Sequence, residues 1–391
     1  MGTGRVGAHE GTASCPATTP TSGRELWKID AAGTASLVTD VFADGSSAPS
    51  GLTVFNSALY FAAYTTSTGR ELWKTTPGGV ASEVADIDPF GSSDPADLIV
   101  FNNELYFSAS APTTGRELWK VDAAGIAALV ADLDANGSSE PAGLTEFNGE
   151  LYFSATTPVS GRELWKVNPL GMSSQVTDLE PAAGSSDPAG FTTFNNELYF
   201  AATTTATGNE LWKVDPIGNV ALAADLDPAG TSDPAGLTVF NNELYFGAWG
   251  STGGRELWKL SAAGVATQVA DLEPAGSSDP LELSAAGGTL YLSAFTTAAG
   301  RELWQLTAPG AVSAVDDLEQ ARRLDGSTGS YEIEIQRPLN SGGLELERYE
   351  RKGDANLFRD QGQLVLRDNI ISDSSGFGIV VQAGPRTASG A

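Results

Sequence analysis

Histidine and cysteine are almost absent from this chain of 391 residues, which contains one of each, His9 and Cys15. A single cysteine can form neither an internal disulfide nor a cysteine-based zinc site. A Ser-His-Asp triad, a Cys-His dyad or a multi-histidine metal centre needs a histidine inside the fold. Because His9 lies so close to the N-terminus, we expect no catalytic chemistry of these kinds.

Long apolar runs are also missing. No stretch of about 18 apolar residues occurs, so the sequence predicts no membrane insertion. The first residues, MGTGRVGAHEG, lack the apolar core of a secretion signal. We interpret the chain as an excerpt whose signal lies upstream.

Positive charge is scarce, with 22 Lys and Arg residues against 49 Asp and Glu residues and a net charge of −27. Such a potential repels nucleic acid and anionic lipid, and it attracts cations. The charge therefore excludes nucleic acid as a partner.

The sequence does contain a repeat of about 46 residues, marked by Glu-Leu-Trp. Its tryptophans are Trp27, Trp73, Trp119, Trp165, Trp212, Trp258 and Trp304. A period of this length is typical of propeller blades or helical arrays. We expect the repeated tryptophans to pack between blades rather than to form sugar-binding platforms.

One repeat unit reads as four short strands. From Leu98 the segments LIVF, ELYFSAS, RELWKVD and IAALVADL are separated by turns rich in Asn, Gly and Thr, and helical periodicity is absent. The sequence therefore predicts an all-β fold, a seven-bladed β-propeller of four-stranded blades, over residues 23–319.

The first unit poses a closure problem, because only six FNNELYF-type hairpins accompany seven Glu-Leu-Trp strands. Residues 1–22 show no matching pair and read as an irregular N-terminal segment. We expect the β-hairpin within residues 320–350 to complete the first blade. The alternative is six complete blades plus a half blade, with a separate C-terminal β appendage.

The motif GRELWK, followed by VxDL, GSS-Asp-Pro and FNNELYF, resembles the bacterial ELW-repeat (ELWxxDGT) β-propeller family over residues 23–319. The resemblance implies a large secreted or surface-attached bacterial protein without an assigned activity. The Asp-Gly-Thr of that family is eroded here, for example to Asp-Ala-Ala-Gly at 122–125. The tail, residues 351–391, resembles one rung of a right-handed parallel β-helix and is expected to be poorly ordered or docked.

Loops between units carry oxygen side chains at alternate positions before a glycine, a pattern that resembles calcium-binding loops. The candidate ligands are Asp86, Asp88, Asp94, Asp132, Asp134, Asn136, Glu140, Asp225, Asp227 and Asp233. The same side chains can instead accept hydrogen bonds from nearby backbone N–H groups and form plain turns. No other cofactor is indicated.

Trp249 occurs once, in a glycine-rich stretch, and could stack on a ligand or plug a packing gap. Because the acidic residues recur equivalently in every unit, no catalytic pair stands out. We therefore expect a non-catalytic extracellular or cell-surface module for adhesion or structure. Its expected partners are a glycan or protein ligand and other domains of a mosaic protein. The alternative is a carbohydrate-active enzyme, either a polysaccharide lyase or a glycosidase.

Overall fold

The structure of the chain is a computed structural model. It describes residues 7–9, 12–30, 32–43, 45–76, 79–181, 183–307, 310–316, 331–338 and 344–351. Within these ranges the chain is all-β and forms seven four-stranded antiparallel sheets, each from four consecutive strands. The expected seven-bladed β-propeller is confirmed. No helix in the described part of the chain is long and apolar enough to cross a membrane.

Each blade runs from an innermost strand, beside the propeller axis, to an outermost strand. The innermost strands are β1 (Gly7–His9), β5 (Ser50–Phe55), β9 (Ala96–Phe101), β13 (Ala142–Phe147), β17 (Ala189–Phe194), β21 (Ala235–Phe240) and β25 (Leu281–Ala286). The second strands are β2 (Thr12–Thr19), β6 (Ala58–Thr65), β10 (Glu104–Ala111), β14 (Glu150–Thr157), β18 (Glu197–Thr204), β22 (Glu243–Trp249) and β26 (Thr289–Thr296).

The Glu-Leu-Trp motif lies on the third strand of every blade. The third strands are β3 (Gly23–Ile29), β7 (Gly69–Thr75), β11 (Gly115–Val121), β15 (Gly161–Val167), β19 (Gly208–Val214), β23 (Arg255–Ser261) and β27 (Gly300–Thr307). The outermost strands are β4 (Ala35–Thr39), β8 (Ala81–Ala85), β12 (Ala127–Ala131), β16 (Ser173–Gln175), β20 (Val220–Ala224), β24 (Ala266–Ala270) and β28 (Ala311–Asp316).

Local turn chemistry explains the meander within a blade. Asn102 and Asn103 have φ values of 47° and 59°, which suits the two-residue turn between β9 and β10. On the other side of the sheet, Asp122 Oδ1 accepts hydrogen bonds from the backbone N–H groups of Ala124 and Ile126, both at 2.9 Å. Both connections are therefore set by side chains in the turn itself.

The core lies between blades, because the sheets of blades 2 to 6 bury both of their faces. Between blades 2 and 3, Phe55 and Leu72 from one blade pack with Leu105, Phe107 and Val121 from the next. Equivalent clusters join blades 1–2, 3–4, 4–5, 5–6 and 6–7. Among the described residues, no apolar cluster joins blade 7 to blade 1.

Six of the seven repeated tryptophans pack against these clusters as expected, although they are only partly buried, and Trp27 belongs to none of the clusters. The residues in front of them are buried more completely: Leu118 and Glu117, for example, are fully inaccessible to solvent. The third strand therefore contributes a leucine and a carboxylate to the interior. The tryptophan packs on the face of the sheet opposite to the leucine, because successive side chains of a strand alternate between the two faces.

The first blade corrects the expected domain boundaries. Residues 7–19 are not irregular, because β1 and β2 form the inner half of blade 1 and β2 pairs with β3. Cys15 stands opposite Trp27, just as Phe107 stands opposite Trp119 in blade 3. Because a cysteine replaces the usual phenylalanine, the sequence pattern concealed this strand.

The C-terminal hairpin does not complete the first blade. Its strands, β29 (Tyr331–Pro338) and β30 (Leu344–Arg351), pair with each other in a separate two-stranded sheet. The tail with the β-helix-like pattern, from residue 352 onward, lies outside the residues that the structure describes.

Candidate functional site

The two ends of the propeller differ in what they carry. We call the end with the inter-blade loops and the turns between second and third strands the loop end, and the opposite end the hairpin end. All the candidate ligands named from the sequence lie at the loop end, in inter-blade loops or at strand ends beside them.

A buried glutamate anchors each inter-blade loop. Glu117 Oε1 accepts the backbone N–H of Ser139 at 2.7 Å, and Oε2 accepts the Ser139 hydroxyl at 2.5 Å and the Leu133 N–H at 3.1 Å. The same three contacts recur at Glu25, Glu71, Glu163, Glu210 and Glu256. Burial raises the pKa of Glu117, and the hydrogen bonds only partly offset that effect. These contacts join each loop to the third strand of the blade before it.

The loop residues named as calcium ligands form turns. Asp88 Oδ1 accepts the Phe90 N–H at 3.1 Å, and Asp134 Oδ1 accepts the Asn136 N–H at 3.2 Å. Such contacts are the local side-chain to backbone bonds that short polar residues favour in turns. Asp227 is placed equivalently, beside Gly230.

Three of the candidate ligands lie later in these loops, where the backbone adopts the left-handed conformation. Asp94, Glu140 and Asp233 adopt φ values between 43° and 48°. Their N–H groups donate to carbonyl oxygens at the start of the third strand, as from Asp94 to Arg70 at 3.1 Å.

The remaining candidates lie just after the outermost strands, at Asp86, Asp132 and Asp225, and their charges raise the pKa of the buried glutamates nearby. Asp225 Oδ1 is buried without a hydrogen-bond partner. In the described part of the chain, no three acidic, histidine or cysteine side chains come together in a way that could hold a metal. The structure thus does not gather the candidate calcium ligands into a site.

Arginines before the Glu-Leu-Trp motif tie the third strand to backbone carbonyls. Arg70 donates to the Ala48 carbonyl at 2.9 Å, and Arg255 donates to the carbonyls of Asp233 at 2.6 Å and Gly247 at 2.9 Å. Burial lowers the pKa of both guanidinium groups. These arginines therefore hold the third strand against the backbone at the loop end, and their guanidinium groups are engaged in these hydrogen bonds.

Trp249 ends strand β22, and 39 % of its surface is exposed. Its N–H donates to the Ser232 carbonyl at 2.7 Å. The same backbone bond is made at the equivalent position of blades 2, 3, 4, 5 and 7 by Tyr64, Ser110, Thr156, Thr203 and Phe295. The backbone is thus the same in all these blades, but the side chain is aromatic only in blades 2, 6 and 7.

Two further aromatic residues lie in the neighbouring loops. Phe42, in the loop from blade 1 to blade 2, contacts Tyr64 edge to face at a centroid distance of 5.8 Å. Phe90, in the loop from blade 2 to blade 3, is 92 % exposed. We call Phe42, Tyr64, Phe90, Trp249 and Phe295 the aromatic sector.

The aromatic sector occupies one arc of the loop end, over blades 6, 7, 1 and 2. At the strand position of Trp249, blades 1, 3, 4 and 5 carry Thr18, Ser110, Thr156 and Thr203, so blade 1 contributes to the sector only through Phe42 in the loop that follows it. Each strand aromatic stands opposite an arginine: Tyr64 opposite Arg70, Trp249 opposite Arg255 and Phe295 opposite Arg301.

Sequence reasoning singled out Trp249 alone and missed the other four aromatic residues. The signal was available, because aligning the seven units shows that Tyr64 and Phe295 occupy the position of Trp249. Phe42 likewise occupies the position of Asp88 and Asp134.

The hairpin end repeats a structural contact. Lys120 Nζ lies 2.9 Å from Glu104 Oε1, and the Tyr106 hydroxyl donates to Glu104 Oε2 at 3.0 Å. Asn102 donates to the Pro169 carbonyl of the next blade at 2.9 Å. Because blades 4 and 5 repeat this arrangement, we assign it to stability.

No protein-family model and no curated protein matches the chain. Solved structures do resemble it. A structure of prolyl endopeptidases is 10 % identical, with a TM-score of 0.51 and coverage of 88 % of this chain and 53 % of that protein. A puromycin hydrolase is 15 % identical, with a TM-score of 0.47 and coverage of 88 % and 58 %. The β-propeller domain of the Trilobed protease from Pyrococcus furiosus is 8 % identical, with a TM-score of 0.42 and coverage of 81 % and 96 %.

The similarity to the prolyl endopeptidase structure is a similarity of fold alone. The chain spans little more than half the length of the prolyl endopeptidase and the puromycin hydrolase. The expected function was wrong, because the similar structures are peptidases and a protease propeller rather than adhesion modules, lyases or glycosidases. The repeat pattern had excluded several kinds of chemistry in the propeller, but it contained no information about the class of protein that carries such a fold.

Proposed function

We propose that this propeller is a non-catalytic, peptide-binding domain of a protein that acts on peptides, and that the aromatic sector is its binding surface. The observation that carries the proposal is the confinement of five accessible aromatic residues to one arc of the loop end. Exposed apolar surface of this kind, bordered by polar residues, marks interaction sites.

The ligand class follows from the chemistry of the sector. Aromatic faces bind proline rings in extended peptides, and they attract cationic side chains through the ring quadrupole. The net charge of −27 adds long-range attraction for a basic ligand. We therefore propose an extended, basic, proline-containing peptide. The similarity in fold to prolyl endopeptidases is compatible with a peptide ligand.

The propeller itself is proposed to lack catalytic groups. The only histidine is His9, in the innermost strand of blade 1, so a serine or cysteine nucleophile elsewhere would have no imidazole partner. Catalysis would belong to another part of a longer protein. Membership of the ELW-repeat family and an extracellular location remain predictions.

The test is fluorescence anisotropy with a labelled 12-residue peptide of alternating lysine and proline. We expect saturable binding to the full chain, weakened at least tenfold in the double variant Trp249→Thr/Phe295→Thr. Both changes install the type of residue that blade 5 carries at the same position, so the backbone should be retained.

The matched control is Thr203→Ser in blade 5, which should bind like the wild type. A peptide with glutamate in place of lysine should bind more weakly, because the protein is acidic. Equal affinities for the wild type and the double variant, or no binding of either peptide, would contradict the proposal. Preferential binding of a neutral glucan oligosaccharide would contradict the ligand class.

A further inference from the structure

The interface between blades 7 and 1 differs from the other six. Leu303 is 46 % exposed, whereas the equivalent leucines of blades 1 to 6, such as Leu26 and Leu257, are fully buried. Val315 is 42 % exposed, although its equivalent Val130 packs against an apolar cluster. Blade 7 therefore leaves uncovered the face that every other blade buries against its successor.

Blade 1 shows the complementary defect. Ile29 is 40 % exposed, while the equivalent Val121 and Val167 are fully buried. Trp27 belongs to none of the apolar clusters, although the tryptophans of the other six blades each pack against one. We call the facing surfaces formed by Cys15, Trp27, Ile29, Leu303 and Val315 the seam.

The sequence also lacks side-chain volume at the seam. Ala286 stands where the innermost strands of blades 2 to 6 end in phenylalanine, as at Phe101 and Phe240. On the blade 1 side, Cys15 replaces the phenylalanine that the second strands of blades 2 to 6 carry, such as Phe107. Small residues on both sides reduce the apolar side-chain volume that blades 7 and 1 place against each other.

The C-terminal hairpin is the segment of this chain that needs a partner. Among the described strands, β29 and β30 pair only with each other, and an isolated two-stranded hairpin is marginally stable in water. Its first strand places Tyr331, Ile333 and Ile335 at alternate positions, separated by glutamates. Such a strand has one apolar and one charged set of residues.

The chain can reach the seam from where the propeller ends. Strand β28 ends at Asp316, on the outer side of blade 7 at the loop end, and β29 begins at Tyr331. Fourteen residues can span roughly 50 Å when extended. Inter-blade loops of ten residues, such as 86–95, already carry the chain from one blade to the next.

We propose that the hairpin of β29 and β30 docks over the seam and closes the propeller, covering Leu303 and Val315 on one side and Ile29 and Cys15 on the other. It acts as a cover over two complete blades and supplies no strand to blade 1. The inference does not depend on the proposed peptide binding, since none of the residues that form the seam belongs to the aromatic sector.

Cys15, the only cysteine, is a built-in reporter of this docking. It is half-buried, and burial raises the pKa of its thiol. We expect the full chain to react slowly with a maleimide. The double variant Ile333→Glu/Ile335→Glu should react at least tenfold faster, because charge on the apolar positions would release the hairpin. The matched control Glu332→Gln/Glu334→Gln alters the alternate positions and should react like the wild type.

The variant Leu303→Glu tests docking from the side of the propeller. Because Leu303 is exposed, this change should leave the blades folded while it accelerates the reaction of Cys15 as the hairpin variant does. The proposal is overturned if either variant reacts at the wild-type rate. It is also overturned if Cys15 is protected only at protein concentrations where the chain elutes as a dimer, because a second copy would then cover the seam.

Discussion

Blades 3, 4 and 5 are nearly copies of one another, whereas blades 6, 7, 1 and 2 keep the same strands and change their side chains at the loop end and at the seam. In both halves the third-strand glutamate anchors the loop that follows. The comparison shows that positions needed for packing keep the same residue type from blade to blade. Positions with no packing role carry whatever distinguishes one side of the propeller from the other.

The sharpest way to test this contrast is to remove the same leucine from a regular interface and from the seam. Leu118→Ala should lower the free energy of unfolding by about 2–5 kcal/mol, because a fully buried side chain leaves a cavity. Leu303→Ala should cost less than about 1 kcal/mol, since the blades themselves leave nearly half of the side chain exposed and only the proposed hairpin contact would be lost there. Urea unfolding of both variants provides the measurement. Similar losses would mean that the seam is as closely packed as the other interfaces.

The glutamate anchor should matter next most. Glu117→Gln replaces an oxygen that accepts the Leu133 N–H with an amide group that cannot accept it. Leaving one buried donor unsatisfied costs about 1–3 kcal/mol. Glu146→Gln, on the exposed side of β13, is the control and should be close to neutral. If the two variants were equally stable in urea, Glu117 would not be the residue that anchors the loop.

The pH dependence of stability should reveal the same residue. Burial raises the pKa of Glu117 above its ordinary value of 4.5. The folded state therefore holds a proton more tightly than the unfolded state, so this contribution is complete below about pH 4.5 and declines as the pH rises toward the folded-state pKa. The difference in melting temperature between wild type and Glu117→Gln should thus be larger at pH 5 than at pH 7.5. A gap that narrows on acidification would contradict the sign of the shift.

The smallest expected effect lies in the first inter-blade loop. Ala48 has a φ of 45°, and the equivalent positions in later loops carry Asp or Glu in the same region, such as Asp94. Alanine has no side-chain oxygen to favour this conformation, so Ala48→Gly should stabilise the chain by about 0.5 kcal/mol. The measurement is a thermal melt, with Ala109→Gly in a regular strand as a control that should destabilise. If Ala48→Gly destabilised the chain, the positive φ of Ala48 would not be a source of strain.

Much of the fold could be predicted from the repeat. The period of the tryptophans, the Asn-Asn turns and the four apolar segments identified the blades, because each unit shows the same alternation. The first blade was misread because Cys15 and Ala13 replace the phenylalanine and leucine by which other second strands are recognised. Strand formation there depends on backbone pairing with β3, which a search for apolar pattern does not detect.

The candidate site was harder to predict for a different reason. Asp88 and Asp134 satisfy a ligand pattern in sequence, but whether alternate oxygens converge on an ion or cap a turn depends on backbone angles. Conversely, Phe42 and Phe295 look unremarkable one at a time. Their position on one side of the ring becomes apparent only when the seven units are placed around an axis.

The sequence by itself determined the strand content, the blade boundaries of the regular repeats and the absence of imidazole chemistry within them, because these follow from local pattern and composition. Only the tertiary structure decided which carboxylate is buried, where the aromatic residues gather and which interface remains open. The physical reason is that all three depend on what a neighbouring blade places against a given side chain. Two units of nearly identical sequence can therefore differ in burial at the same position: Leu118 of blade 3 is fully buried, and Leu303 of blade 7 is 46 % exposed.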